Sequence, residues 1–597
     1  MFGQYNPQIN EIFPSRGKTM GIKNNKKITT ITLLLILSSV AFLVSVDDVS
    51  AANNWTVGNG TGYNFTNITD AVESAEDGDT INIADGTYYE HDILINKNLN
   101  INGVGESTTT IDAQNLGRIF RIFSGINATI TNIRFLNGNA DMGGAIYNEG
   151  TLTTENCSFV GNTAKFGGVI YNNGTVIGNN SSFIGNSAYQ GGAIYNCNES
   201  TFNECKFENN IADRFLSGFH DWHVFFVWAT GGSIFNTGTL NIKNSNFTKS
   251  NSAILNEGNL TIVDSNFINN NCALENYGFS NIANCIFTDN TVQEKGGAIF
   301  NQGNLTIANS VFINNSSKNG GAIYNTGNLT LDNCYFENNS VIAGWNGSVF
   351  GAVSWVGDTF GGAISNEGTL IINNCIFKNN LAHGESSSLF GYGMYSYGGA
   401  IYNTGILTIY NSTFINNTAN CYGGAIYNKG TLTTENCTFT NNTVAMGGAV
   451  YNTGTSEIHY CTIIGNTASQ GDNIYCESPG SVNAILNWWG TNNPQEINAS
   501  VVGNVTCIPW LWLIVNPNPI YIWDIVNSPF ITNIITNLAP NSSEDFVQMT
   551  GNFVENSSIG TNSNNQDESQ YSPDGLIIMG LTVLLGMIGL IYLLNLL

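Results

Sequence analysis

The chain has 597 residues, 66 of them glycine, and only 10% of its residues are charged. Its formal net charge is −25, and the acidic excess grows beyond residue 51, because residues 1–51 hold five basic and three acidic residues. Scattered Lys and Arg argue against a nucleic-acid partner, which needs clustered cations to neutralise phosphates. Abundant Gly and Asn argue against a globular enzyme and suit a fold rich in tight turns, where both tolerate φ > 0.

At the N-terminus, Lys23, Lys26 and Lys27 precede an apolar run from Ile31 to about Val46, followed by the small-residue segment Val49-Ser50-Ala51. This pattern predicts a secretory signal peptide over 1–51, and a start at Met20 would give it a conventional charged leader. Residues 52–140 are expected to hold an N-terminal cap and the first coils. Within them, 64–75 reads as a short amphipathic helix with Thr or Asp at its start, and Gly-Asp-Thr-Ile-Asn-Ile from Gly78 opens the first strands.

From 141 to 482 the sequence repeats itself. The tag Gly-Gly-Ala-Ile-Tyr-Asn, or a close variant, begins at Gly143, Gly167, Gly191, Gly231, Gly296, Gly320, Gly361, Gly398, Gly423 and Gly447. Degenerate copies begin at Asn251, Asn271 and Gly471. Between tags runs Leu-x-Ile/Thr, a turn, then Cys/Ser-x-Phe and x-x-Asn, as in 431–442. Each short apolar alternation with period two predicts a strand, three per period, punctuated by Gly and Asn. The fold expected is all-β: a right-handed parallel β-helix of about sixteen coils, stacked at roughly 4.8 Å. The tag position of Ile146 is apolar in every copy, whereas that of Tyr147 also takes Glu275 and Ser365. Neighbours in a strand face opposite sides, so the Ile column faces the core and the Tyr column faces out. The tag's last residue recurs as Asn148, Asn172, Asn196, Asn236, Asn301, Asn325, Asn366, Asn403, Asn428 and Asn452, and its side chains are expected to form an amide ladder at turns that favour αL.

Three interruptions break the period between the x-x-Asn element and the next tag. The first, about 212–230, holds Phe219, Trp222, Phe225 and Trp228; the second, about 341–359, holds Trp345, Phe350 and Trp355; the third, about 382–397, holds Phe390, Tyr392 and Tyr395. Insertions in a solenoid map to loops on one face, often the binding face, and aromatic side chains are enriched at interfaces. These ten residues are the candidate ligand-binding set. Two arrangements remain open: a ligand-binding surface, or loops folded back on the Tyr stripe.

Beyond the tags, Trp488, Trp489, Trp510, Trp512 and Trp523 suggest an aromatic C-terminal cap over 483–540. Residues 541–574 are poor in apolar side chains and read as a disordered stalk. The uncharged run 575–597 is expected to be one C-terminal transmembrane helix, which places the ectodomain outside the cell.

The paired signatures Gly-Gly-Ala-Ile/Leu/Val and Phe-x-x-Asn, the latter at Phe159–Asn162, Phe267–Asn270, Phe377–Asn380 and Phe439–Asn442, resemble those of the polymorphic outer membrane proteins of Chlamydia. The layout, with its opening coil and Asn487-Trp488-Trp489-Gly490 near the end, is similar to adhesin-like surface proteins of methanogenic archaea. That resemblance implies a pectin-lyase-like β-helix and a surface or adhesive role. One departure is the terminal apolar run, which implies a membrane anchor in place of an outer-membrane β-barrel. The partners expected are glycans or surface proteins of other cells, together with the membrane that holds the anchor.

Enzymes that cleave acidic polysaccharides also use such folds. Hydrolysis wants two carboxylates on one surface, but Asp264, Asp289, Asp332 and Asp472 fall on different coils, so no catalytic residue is assigned. His220 and His223 have metal-compatible spacing without a third ligand nearby, so neither metal nor cofactor is expected. Seven of the twelve cysteines share an inward slot with serines, which suits buried thiols; Cys334 with Cys375, and Cys437 with Cys461, would lie within disulfide range. Asn-x-Ser/Thr sequons abound, and some glycosylation is expected.

Overall fold

A computed structural model of the chain describes residues 52–212, 231–343, 357–384 and 395–511. The leader, the stalk and the terminal apolar run lie outside the described residues, as do Trp512 and Trp523. No helix among the described residues is long and apolar enough to cross a membrane.

The fold is a right-handed parallel β-helix of about seventeen turns. Three long sheets run along it: one of 18 strands carrying the Leu-x-Ile/Thr elements, one of 15 carrying Phe, and one of 16 carrying the tags. Each strand pairs in parallel with its equivalent one turn on, so tag residues meet tag residues, as in Ile146↔Ile170, Tyr147↔Tyr171 and Asn148↔Asn172. The turn count exceeds the expected sixteen because Asn54–Val57 already pairs with Thr80–Ile83, ahead of the predicted first coil.

The paired glycines of the tag have separate reasons. Gly167 has φ +64, a conformation that L side chains rarely adopt. Gly168 lies so close to the next turn that a Cβ there would stand 2.1 Å from the carbonyl oxygen of Gly192. Ala145 and Ile146 then enter the core fully buried. Phe135, Phe159, Phe183, Phe207, Phe247 and their successors through Phe439 form one column of stacked rings, with centroids 4.6–4.9 Å apart.

One element was not anticipated. A fourth short strand follows the x-x-Asn element in the longer coils, giving a four-stranded sheet (Asn139–Met142 to Ile211–Ala212) and a second sheet from Ser316–Ser317 to Thr467–Gln470. The 20-residue coils between them lack the four residues this strand needs: Phe247 is followed four positions later by the degenerate tag at Asn251. Val341, Ala382, Ala419 and Val444 make a small separate core beneath the second of these sheets.

The αL corners also differ from expectation. Asn148 and its equivalents lie in strands and show no positive φ; the αL residues flank the Cys-x-Phe element, as at Asn156 (φ 52), Asn436 (φ 55) and Asn441 (φ 54). Strand geometry is what lets the tag Asn project inward.

Helix α1 (Ile68–Ser74) buries Ile68, Ala71 and Val72 against the first turns. Glu90 accepts from the backbone N–H groups of Ile68 (2.6 Å) and Thr69 (2.8 Å), and Lys97 Nζ donates to the carbonyls of Glu73 (2.8 Å) and Ala75 (2.5 Å). A carboxylate at the N-terminus and an ammonium at the C-terminus complement the helix dipole. Helix α2 (Pro494–Ala499) is capped by Asn493 and followed by Val501–Gly503, the last strand of the tag sheet.

All twelve cysteines stand as thiols, ten of them buried. Burial pushes the thiols of Cys157, Cys205 and Cys285 up to about 12. A thiol is reactive as thiolate, so these are inert while the turns stay closed. Thiol titration of the native protein is expected to reach the half-buried Cys197 and Cys421 and, after denaturation, all twelve.

Candidate functional site

Two amide ladders run inside the helix. In the first, Asn148 Nδ2 donates to Asn172 Oδ1 (2.8 Å), and the same bond links Asn172 to Asn196 (2.8 Å) and Asn196 to Asn236 (2.7 Å). It continues without a break through Asn256, Asn276, Asn301, Asn325, Asn366, Asn403 and Asn428 to Asn452. The second is built by the Asn of Phe-x-x-Asn: Asn339 Nδ2 donates to Asn380 Oδ1 (3.0 Å) and to the carbonyl of Phe312 (2.9 Å), and Asn380 does likewise with Asn417. Every one of these groups is buried, and none is placed to do chemistry. The ladders support the rod.

The surface outside the tag sheet is different. Tyr402, Tyr427, Tyr451 and Tyr475 stack at 5.4, 5.3 and 5.0 Å with their rings nearly parallel. Beside them stands a second column, Phe360, Tyr397 and Tyr422, stacked at 5.2 Å in both steps. The columns meet tilted or edge-on: Phe360 on Tyr402 at 4.7 Å, Tyr397 on Tyr427 at 4.9 Å, Tyr422 on Tyr451 at 4.9 Å. Tyr395, 47% exposed, completes the group, 5.9 Å from Tyr422. Its backbone N–H donates to Asp358 Oδ1 (2.9 Å).

Geometry decides what such a surface can do. A stacked ring gives both faces to its neighbours, so Tyr427 and Tyr451, both buried, offer a ligand neither face. Tyr397 is likewise stacked on both sides, by Phe360 and Tyr422, and presents its edge and hydroxyl; Phe360, Tyr397 and Tyr422 are half-buried and Tyr395 is exposed. Burial, and next the charge of Asp358, raise the Tyr397 phenol; burial, with Tyr427 and Glu367 nearby, raises Tyr402 to about 12. Tyr451 OH donates to Glu477 Oε2 (2.7 Å) and Tyr324 OH to Glu367 Oε1 (2.5 Å). The face is therefore apolar, hydroxyl-bearing and edged with carboxylates.

The second column comes from the residue just before each tag; Tyr397 falls at the end of the third interruption, but the recurrence of its position as a column was not expected. Its signal was present: the residues preceding Gly361, Gly398 and Gly423 are all aromatic, as is Phe166 before Gly167. The outward Tyr column is also more covered than expected, because its members shield one another. Of the ten candidate loop residues only Tyr395 is described; Phe219, Trp222, Phe225, Trp228, Trp345, Phe350, Trp355, Phe390 and Tyr392 lie outside the described residues. The described flanks show where all three insertions leave: after Ile211–Ala212, Ser340–Ala343 and Leu381–Gly384, each a fourth-strand position.

Glu275 occupies a Tyr position between Leu255 and Phe300, and burial raises its carboxyl above the ordinary 4.5. A raised carboxyl favours folding below 4.5, and that stability is lost as pH rises through the folded value. Glu275→Gln is therefore expected to raise the thermal midpoint at neutral pH and to leave it unchanged at pH below 4.5. Among the described residues no group of three or more His, Cys, Asp or Glu could hold a metal ion.

Two family models match the chain: residues 281–468 match one described as right handed beta helix region, and 180–197 one described as Chlamydia polymorphic membrane protein repeat. The chain thus carries a β-helix region with a polymorphic-membrane-protein type of repeat. No curated protein matches it in sequence. Among solved structures it is similar to a mannuronic acid specific polysaccharide family 6 lyase from human gut microbiota, at 8% identity and a TM-score of 0.29, over 76% of this chain and 91% of that one. It is similar to an alginate lyase at 12% identity and a TM-score of 0.34, over 78% and 90%. A third similarity is to the catalytic unit of an alpha-1,3-glucanase from Streptomyces thermodiastaticus, at 10% identity and 0.24, over 76% and 69%. At these scores the similarities carry no argument about activity.

Proposed function

We propose that the chain is an exported, membrane-anchored surface protein whose β-helix holds up an aromatic face that binds neutral glycans or surface molecules of other cells. The observation that carries this reading is the group Phe360, Tyr395, Tyr397 and Tyr422 on the outside of the tag sheet, beside the exits of two aromatic-rich insertions. The polymorphic-membrane-protein repeat supports a surface location. In this reading residues 1–51 direct export, helix α1 and the aromatic segment 483–540 close the ends of the helix, 541–574 form a stalk and 575–597 the anchor.

Charge sets the ligand class. Asp358, Glu367 and Glu477 beside the rings, and a net charge of −25, repel polyanions such as uronate polymers. A neutral oligosaccharide packs its C–H face on an exposed ring and gives its hydroxyls to phenols and carboxylates. The chain is read as a binder and not as an enzyme.

A glycan array probed with the full chain tests this. Signal is expected on neutral glycans, and Tyr395→Ser with Tyr422→Ser is expected to weaken it by about thirty-fold, the size of an aromatic hot spot. Equal binding by both proteins would remove the aromatic face from the account, and no binding by either would favour a purely structural envelope protein. Release of uronate or reducing sugar with turnover would overturn the non-enzymatic reading.

A further inference from the structure

The 18-stranded sheet turns a different surface to solvent. In Asn259-Leu260-Thr261, strand parity sends Leu260 into the core and stands Asn259 and Thr261 together on the outside. Asn304-Leu305-Thr306 and Asn328-Leu329-Thr330 do the same. The register stacks Asn259, Phe279, Asn304 and Asn328 in one outward column. Phe279 is 61% exposed there, with an Asn on the turn to either side; farther along the same column Ile406 is exposed as well. Phe279 stands one turn, about 4.8 Å, from each of the asparagines beside it.

The side-chain amides in this column differ from those of the corner sequons. Asn156 and Asn180 sit at αL corners and their Nδ2 atoms donate to the preceding turn, at 3.3 and 2.7 Å. Asn259 and Asn304 are exposed, and among the described residues neither Nδ2 donates to a protein group. Asn328 Nδ2 is engaged with Asn304 Oδ1 (2.8 Å).

We propose that Asn259 and Asn304 are N-glycosylated, and that Phe279 is the platform against which the first sugar of one of these glycans packs. The modification rests on the export proposed above. The co-reactant is an oligosaccharide linked through phosphate to a lipid carrier, supplied with its transferase. Nδ2 attacks the anomeric carbon; an N–C bond forms as the anomeric C–O bond breaks. The lipid phosphate leaves with that electron pair, and one Nδ2 proton passes to the transferase. Two turns, about 9–10 Å, separate the two asparagines, which leaves room for a sugar over the ring between them. One turn separates Asn304 from Asn328, which does not admit two chains, so Asn328 stays bare. The attached sugar covers the apolar ring that the fold itself leaves in water.

Glycopeptide mass spectrometry on the full chain from its own cells tests the assignment, with the mature N-terminus read from the same digest. Most molecules are expected to carry glycan at Asn259 and Asn304, with occupancy several-fold lower at Asn328, Asn156 and Asn180. Radical oxidation of Phe279 is expected to rise several-fold in the variant carrying both Asn259→Gln and Asn304→Gln, whereas Phe279→Ser keeps both glycans. Bare Asn259 and Asn304, glycans chiefly at the corner sequons, or unchanged Phe279 oxidation would overturn the proposal. Bare asparagines on a chain that begins near residue 52 would sink this proposal alone; on a chain retaining its first 51 residues they would sink the surface reading as well.

Discussion

Asn301→Leu is expected to destabilise the turns around it by about 2–6 kcal/mol, from two buried partners left unsatisfied. Asn301 Nδ2 donates to Asn325 Oδ1 (2.7 Å) and to the carbonyls of Gly303 and Asn328 (both 3.2 Å), while its own Oδ1 accepts from Asn276 (2.8 Å). Leucine removes all four bonds and leaves the Asn276 donor and the Asn325 acceptor short of partners away from water, at about 1–3 kcal/mol each. Asn301→Asp keeps an acceptor for Asn276 but turns a carboxylate toward Asn325 Oδ1, so it is expected to be no milder. Because each turn touches mainly its neighbours, the loss should be local. Hydrogen exchange should quicken in strands 274–276, 299–301 and 323–325 and remain slow near Asn148. Uniform loosening of the whole helix would contradict a nearest-neighbour solenoid.

Phe312→Ala is the second large effect, expected to cost about 3–5 kcal/mol as a large-to-small change in a packed core. Phe312 is fully buried and stacks on Phe287 and Phe336, both at 4.7 Å. The cavity cannot collapse readily, since the rings above and below are held by main-chain pairing in register. Denaturant unfolding followed by tyrosine and tryptophan fluorescence should show an earlier transition for this variant. Phe312→Leu should recover much of the loss because it refills volume. An alanine variant as stable as the parent would mean that the column is not a continuous core.

Much of this architecture is legible in the chain because a solenoid repeats its instructions. The parity of Ile146 against Tyr147 assigned an inside and an outside, and Leu152, Cys157 and Phe159 are buried accordingly. The fourth strand was not legible: Asn139–Met142 and Ser187–Ala188 have no apolar alternation, being held by pairing with the turns above and below. What the sequence did show was the four-residue difference between long and short coils. The αL positions were misplaced because Asn serves two ends here, as an inward amide in Asn148 and as a left-handed corner in Asn156. Composition alone cannot separate these roles; the neighbouring Ile-Tyr or Cys does.

The binding face was half legible. The tag's Tyr column was visible in the repeat, but its self-shielding was not, because stacking depends on a register that only the folded chain fixes. The outward column escaped because Phe360, Tyr397 and Tyr422 occupy a position filled elsewhere by Met142, Gln190, Lys295 and Gln470. That variability is what would be expected of a surface specialised along its length. A face of fixed composition would imply a structural role for all of it.

The central claim is that recognition is confined to the aromatic face outside the tag sheet. Hydroxyl-radical footprinting of the full chain, with and without the neutral oligosaccharide selected by the array, tests it most directly. Protection of Phe360, Tyr395, Tyr397 and Tyr422 is expected, with Phe279 and the exposed Ile371 and Ile406 of the 18-stranded sheet unchanged. Protection of those last three residues, with the aromatic face still oxidised, would contradict that claim.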